Sequence, residues 1–390
     1  MKARILSRID DIAPRIRAIA AAIGARPELG NEEYFASDTL TEALSGFGFR
    51  VERNTLGLAT AFVAEMDSGK PGPTVAFLAE YDALAGIGHA CGHHLICSMS
   101  VAAAVGLAEA LHETGGKIRV YGTPAEETNG AKVPMAEAGM FRDCSFALMA
   151  HPYHRYEKSG SSMAMDALRF EFKGKSAHAA ANPHDGINAL DAVLQLFNAI
   201  NALRQQTEPH ARIHGVITHG GKAPNVIPDY ACADFYVRAA TRAYTNALVE
   251  RVKRCAEGAA LQTGCTLDIS NYELSYDELR TNGALSDAFT ENLIALGVPP
   301  DAIHEGNDHG SLDLGNVSLQ CPAAHPYVKV VDGDYSLHSV EFRDAAMRER
   351  AFDGMILGAK ALAATAYDCA SNPERLQAVR REFEAMGERR

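Results

Sequence analysis

The chain of 390 residues contains no apolar run approaching the roughly 18 residues that a membrane span requires, so no spanning helix is expected. Positive charge is in deficit: 37 Lys and Arg against 49 Asp and Glu leave a formal charge of −12. That shortfall argues against phosphate-backbone binding, because nucleic-acid partners need a basic patch or stripe. Cysteine is sparse, eight in all, and so thin a distribution excludes a disulfide scaffold. Charges run through the first apolar stretch, MKARILSRIDDIAPRIRAIAAAIG, which reads as an amphipathic helix rather than a secretory signal. The cysteines are then expected as thiols or metal ligands of a cytoplasmic protein. Internal repeats, low-complexity linkers and a glycine-rich phosphate fingerprint are also missing. What is present is ordinary for a globular protein, 47% apolar and 22% charged residues, and the length suits two domains, or three.

Residues 1–45 show helical periodicity interrupted near Pro27 and Gly30. Beyond them, β-rich runs at 60–65, 74–80, 117–122 and 145–150 alternate with helical stretches at about 95–113 and 131–140. This is the pattern of βαβ units and a largely parallel sheet. The unbroken apolar character of 74–79 predicts a strand covered on both faces. After about residue 165 the order becomes strand 167–173, helix 186–204, strands 212–219 and 231–240, helix 244–262 and strand 266–273. Such a β-α-β-β-α-β order is that of a ferredoxin-like split βαβ unit, complete in itself. The expected fold is therefore α/β: a domain of residues 1–165 and 282–390 whose mixed, mostly parallel sheet is flanked by helices, with a ferredoxin-like α+β domain inserted at 166–281. A small-residue-rich helix at 343–366 and a charged helical tail close the chain.

The densest chemistry lies in Glu80-Tyr81-Asp82 and His89-Ala90-Cys91-Gly92-His93-His94, between a buried strand and the helix expected near Leu95. Open α/β sheets bind ligands outside the carboxyl ends of their strands, where this segment falls. Thiolate and imidazole suit zinc and similar divalent metals, and the glycine between Cys91 and His93 lets the backbone aim both at one ion. Taken alone, the pair is better explained as a buried thiol beside helix-capping histidines. Thr123-Pro124-Ala125-Glu126-Glu127 stands at the next strand end. Adjacent carboxylates point in different directions, so one can bind metal while the other takes a proton from the attacking water. A solvated acidic turn is the plainer alternative.

His151 closes a third strand, His154 follows three residues on, and His338 comes from a distant loop. Cys91, His93, Glu127, His151 and His338 together exceed what one tetrahedral ion needs, which points to two metals sharing a bridging ligand. In the inserted segment Asn188 is placed to open a helix. His178, Asn225 and Arg238 there could polarise a carbonyl and clamp a carboxylate, or serve only turns.

Seven elements occur in order over nearly the whole chain: Pro27-Glu28-Leu29-Gly30, His89-Ala90-Cys91-Gly92-His93, Pro124-Ala125-Glu126-Glu127, His151-Pro152, Gly174-Lys175-Ser176-Ala177-His178, Asn225-Val226-Ile227-Pro228 and His338. As a set they resemble the aminoacylase/carboxypeptidase family of dinuclear metallopeptidases, and within it the amidohydrolase branch. Ala79-Glu80-Tyr81-Asp82-Ala83-Leu84 and Leu314-Gly315-Asn316-Val317-Ser318 are most similar to its aminobenzoyl-glutamate hydrolase-like and dipeptidase-like members. The resemblance implies that Cys91, His93, Glu127, His151 and His338 hold two divalent ions, with Cys91 as the bridge. Zinc or manganese is implied first, nickel or cobalt as alternatives. It also implies Glu126 as general base, Asp82 as a supporting carboxylate, and His178 with Asn225 as oxyanion-stabilising groups that reach a partner's site in dimeric members. Arg238 matches a binder of the substrate carboxylate. The inserted domain would serve as lid and dimerisation domain of a homodimer acting on a small acyl-amino acid or dipeptide, with no nucleic-acid or membrane partner. Two departures stand out. His94 follows His93 where the branch carries aspartate or asparagine, and Glu80 stands where other branches place a histidine ligand, as extra ligand or neighbour.

The expected reaction is hydrolysis of an amide in an N-acyl amino acid, an aminobenzoyl-glutamate-like compound or a dipeptide. One rival is a cysteine hydrolase with Cys91 as nucleophile, activated by His93 or His338, which leaves the glutamate pair unexplained. The other is a catalytically inactive ligand-binding protein on the same fold, against which the intact Glu126 speaks.

Overall fold

Thr74–Ala79 is almost entirely apolar, and in the computed structural model it lies inside a sheet of six described strands, with Ala76, Phe77, Leu78 and Ala79 fully buried. The structure describes residues 1–307 and 310–387, so the last three residues of the expected charged tail lie outside the described residues. Thr74–Ala79 pairs in parallel with Lys117–Gly122 on one side and Phe146–Leu148 on the other. Ala323–Ala324 extends the parallel part, while Phe62–Asp67 and Arg50–Arg53 close the opposite edge antiparallel. The sheet is thus mixed and mostly parallel, as expected.

These strands belong to the first of two compact units, residues 1–161, 279–307 and 313–387; the second comprises residues 162–278 and 310–312. In the first, the His93–Ala108 helix is buried at every position from His93 to Leu107. A helix apolar all round must be enclosed. The sheet, Lys2–Ala25 and Glu349–Ser371 enclose it. Gly106 permits the approach, since a Cβ there would stand 2.7 Å from Ile9 Cγ1. No helix among the described residues is long and apolar enough to cross a membrane.

Three boundaries differ from the sequence reading. The run 145–150 is not one strand: Phe146–Leu148 joins the large sheet, whereas His151–Tyr153 pairs in parallel with Tyr327–Lys329 in a separate small sheet. Met149 and Ala150, at the break, are as apolar and as buried as the strand before them, so hydropathy carried no sign of it. The helix expected at 343–366 is two, Val340–Ala346 and Glu349–Ser371, parted where Arg348 takes an extended backbone. The helix expected at 95–113 stops at Ala108 and resumes as Leu111–Thr114.

The second unit is a split βαβ fold. Ala164–Lys173, Arg212–His219, Tyr230–Ala239 and Thr266–Asn271 form an antiparallel sheet with the spatial order fourth, first, third, second. Leu168, Phe170 and Phe172 alternate inward with Arg169 and Glu171 outward, the period of a half-covered strand. Ala189–Leu203 and Arg242–Thr263 cover the apolar face. Asn188 caps the first of these helices: its side-chain oxygen accepts the N–H groups of Leu190 and Asp191 at 3.0 and 3.4 Å.

Candidate metal centre

The parallel strands deliver the site. Past Ala79 the chain runs into Glu80 and Asp82, past Gly122 into Glu126 and Glu127, and past Leu148 to His151. Ligands gather at such carboxyl ends because the loops leaving them are free to carry polar groups. Gly92, at φ +82°, turns the chain into the His93–Ala108 helix, and a Cβ on it would stand 2.6 Å from Pro152 Cγ. Glycine is needed there for the left-handed backbone and for the close approach of the His151 segment.

Each ligand-type side chain is oriented from behind. His93 Nδ1 lies 2.8 Å from Asp82 Oδ1, and the other Asp82 oxygen accepts the Glu127 N–H at 3.0 Å. One buried carboxylate therefore ties the second and third ligand loops together. His93 Nε2, pointing the other way, is buried without a hydrogen-bond partner, 3.6 Å from Glu80 Oε2 and 3.7 Å from Glu127 Oε1. His151 Nδ1 donates to the Pro152 carbonyl at 2.8 Å, leaving Nε2 to face Cys91 Sγ at 3.5 Å. His338 has a positive φ of 63°, its N–H bonds the Ala90 carbonyl at 3.0 Å, and its Nε2 stands 3.3 Å from Glu127 Oε1.

Ligand atoms of Cys91, His93 and His151 all lie within 4.8 Å of one another, as do those of Cys91, Glu127 and His338; a third such group is His93, Glu126 and Glu127. Cys91 thus belongs to two sets at once. One thiol, three imidazoles and a carboxylate, with an orphaned buried imidazole nitrogen among them, form a donor set that fits borderline divalent cations.

Burial and a dense set of charges perturb these groups together. Burial, then Glu127, pushes the Cys91 thiol well above its usual range. Burial would lower His93, but Asp82 and Cys91 outweigh it and raise the imidazole well above its usual value. Asp82 would be raised by burial, yet His93, the Glu127 N–H and Lys132 hold it below the ordinary range. Glu126 is raised well above the usual carboxylate range by burial and then by Glu80, Glu127 and Asp313.

Sequence reasoning missed Lys132 and Asp313. Lys132 has no exposure, and its Nζ donates to Glu80 Oε1 at 2.6 Å and Asp313 Oδ1 at 2.7 Å. The Lys132 N–H bonds the second Asp313 oxygen at 3.2 Å, and Gly130 leaves room, since a Cβ there would meet that oxygen at 2.2 Å. One Glu80 oxygen is thus committed to the lysine while the other faces His93. A lone lysine in the small-residue run Gly130-Ala131-Lys132-Val133 was the available signal.

His94 turns away from the cluster and reaches the Ala346 carbonyl at 3.3 Å; burial pushes it down to about 4. His154 instead meets the Tyr335 carbonyl and Asp334. In the second unit, His178 and Asn225 are brought together: Val226 bridges to His178, and the Ala179 N–H bonds the Asn225 carbonyl at 3.0 Å. Arg238 stands near the end of Tyr230–Ala239, eight residues past Tyr230, roughly 26 Å along the strand. There its guanidinium lies over the Tyr236 ring and 3.4 Å from Ser311 Oγ.

Comparison with known proteins matches this geometry to a family. A peptidase dimerisation domain matches residues 164–263. The Xaa-Arg dipeptidase of Mus musculus is 39% identical over 98% of this chain and 92% of its own length. One of the two kinds of chain in the p-aminobenzoyl-glutamate hydrolase of Escherichia coli is 30% identical over 95% of this chain and 92% of its own. Among solved structures, a Staphylococcus aureus putative aminohydrolase shares the fold with a TM-score of 0.78 at 22% identity, covering 94% of this chain and 99% of that one. A Bacillus subtilis dinuclear metal binding peptidase of the M20 family does so at 0.65 and 22%, covering 92% and 99%. On its likeness to two enzymes across almost its full length, the chain belongs to the M20 family of metallopeptidases and amidohydrolases, in the branch of aminobenzoyl-glutamate hydrolase-like and dipeptidase-like members.

Proposed function

We propose that this chain hydrolyses the amide bond of a dipeptide, an N-acyl amino acid or an aminobenzoyl-glutamate-like compound, and that Cys91, His93, Glu127, His151 and His338 hold two divalent cations, zinc or manganese first. The observation that carries the reading is the membership of Cys91 in two ligand groups, with Glu126 in an adjoining one. Cations held there would supply Lewis acidity toward water and the scissile carbonyl. Glu126 takes a proton from the attacking water and returns it to the departing nitrogen. Asp82 keeps His93 and the Glu127 backbone in register through its two oxygens. His178 and Asn225 are assigned to the oxyanion and Arg238 to the substrate carboxylate. Because the first two sit at the opposite end of a strand from the third, a homodimer in which His178 and Asn225 serve the partner is the arrangement we favour.

Xaa-Arg dipeptides head the substrate panel, since a 39% identical relative carries their name. Metal-reconstituted protein should turn over at least one of the three amide classes, lose that activity to a chelator and regain it with metal. Glu126→Gln should keep fold and metal and lose roughly 10²- to 10⁴-fold in turnover, while Cys91→Ala should lower bound metal. Turnover that survives chelation would favour a cysteine nucleophile. A metal-loaded protein inert across the panel would favour a binding role.

A further inference from the structure

The segment Pro27-Glu28-Leu29-Gly30, with Glu33 beyond it, contributes no metal ligand, yet it touches both ligand loops. Glu28 carries the connection to the first: its carbonyl accepts the Ala83 N–H at 2.9 Å, and its side-chain oxygens accept the N–H groups of Phe35 and Ala36 at the start of Tyr34–Gly46. Gly30 carries the connection to the second, because a Cβ there would stand 2.9 Å from Ala125 Cβ and 2.7 Å from Thr128 Oγ1. Ala125 is the residue before Glu126, and its φ is +64°. An L-residue sheds strain by leaving that left-handed region, so something must hold it there. What holds it is Glu33, whose side chain is fully buried. One Glu33 oxygen accepts the Ala125 N–H at 2.8 Å and the other accepts the Thr60 hydroxyl at 2.9 Å, while the Thr60 carbonyl receives Tyr81 OH at 2.7 Å.

We infer that Glu33 is a positioning residue for amide hydrolysis: its buried carboxyl, with Gly30 packed behind, locks Ala125 in the left-handed conformation that aims Glu126 and Glu127. The inference rests on the reading of Glu126 as the base. Burial and then Asp82 raise Glu33 to about 7, but the neutral and the ionised carboxyl both keep an oxygen for the Ala125 N–H. An amide at this position can do the same, with the Thr60 hydroxyl turned to accept.

Glu33→Ala should lower kcat roughly 10- to 100-fold, the scale of losing a group that orients a catalytic side chain, with KM within about threefold. Hydrogen exchange at the Ala125 amide, read in a peptide spanning the turn, should speed up while the Thr74–Ala79 strand stays protected. Glu33→Gln should restore kcat to within about threefold of the wild type. Gly30→Ala, which pushes on Ala125 without touching Glu33, should reproduce the kcat loss and keeps the test alive if Glu33→Ala does not fold. Full kcat in Glu33→Ala and Gly30→Ala, unchanged exchange at Ala125, or a Gln variant as impaired as the Ala variant would overturn the inference. Normal turnover in Glu126→Gln would remove the base assignment and leave the exchange result standing, so the two failures are distinguishable.

Discussion

At the centre of the second unit, Phe170, Phe172, Phe235, Val193, Leu196 and Val237 pack as an apolar cluster between a sheet and two helices. The corresponding depth of the first unit holds Lys132 between Glu80 and Asp313, with Asp82, His93 and Glu126 close by. An apolar centre forms from water exclusion alone and tolerates small shifts in contact. A charged centre is stable only while every charge keeps its partner, because desolvation exceeds whatever an unpaired group recovers. The comparison teaches where stability and chemistry reside: the second unit is held by area, the first by pairing.

Substitutions can break or sharpen that contrast. The largest stability effect is expected from Lys132→Met, which leaves Glu80 and Asp313 buried without their shared cation and should cost roughly 3–5 kcal/mol by denaturant unfolding. Adding Glu80→Gln and Asp313→Asn to it should recover a large part of that loss; no recovery would mean that packing rather than pairing holds this centre. Leu196→Ala, in the apolar cluster, should cost about 3 kcal/mol through lost transfer and a cavity, with no companion change able to restore it. Asn188→Ala removes the helix cap and should cost about 1 kcal/mol. Smallest of all, Lys173→Ala removes an exposed pair with Asp268 and should leave Tm unchanged within scatter. A Lys173 effect as large as that of Leu196 would show that surface charge matters to the second unit after all.

Legibility differed between the two regions for the same reason. In the second unit, alternation in residues 164–173 and 230–239 and the Asn188 cap are local signals, and the elements formed where those signals lay. In the first unit the ligand residues were legible as types at strand ends, but their supports were not. Lys132 meets Glu80 and Asp313 across 52 and 181 residues, and Glu33 meets Ala125 across 92. No local period links positions so far apart. The break between Leu148 and His151 escaped for a related reason, since burial there is continuous while the sheet changes.

By itself the amino-acid sequence determined the alternation of strands and helices, the split βαβ order of the second unit and the set of metal-capable side chains. These depend on hydropathy periods of two and 3.6 residues and on donor chemistry, both properties of neighbouring residues. Only the tertiary structure decided that Cys91 belongs to two ligand groups, that Glu80 is tied to a buried lysine and that Glu33 grips the turn before Glu126. Such facts depend on which loops the packed sheet brings side by side, a distance in space that the order of residues does not contain.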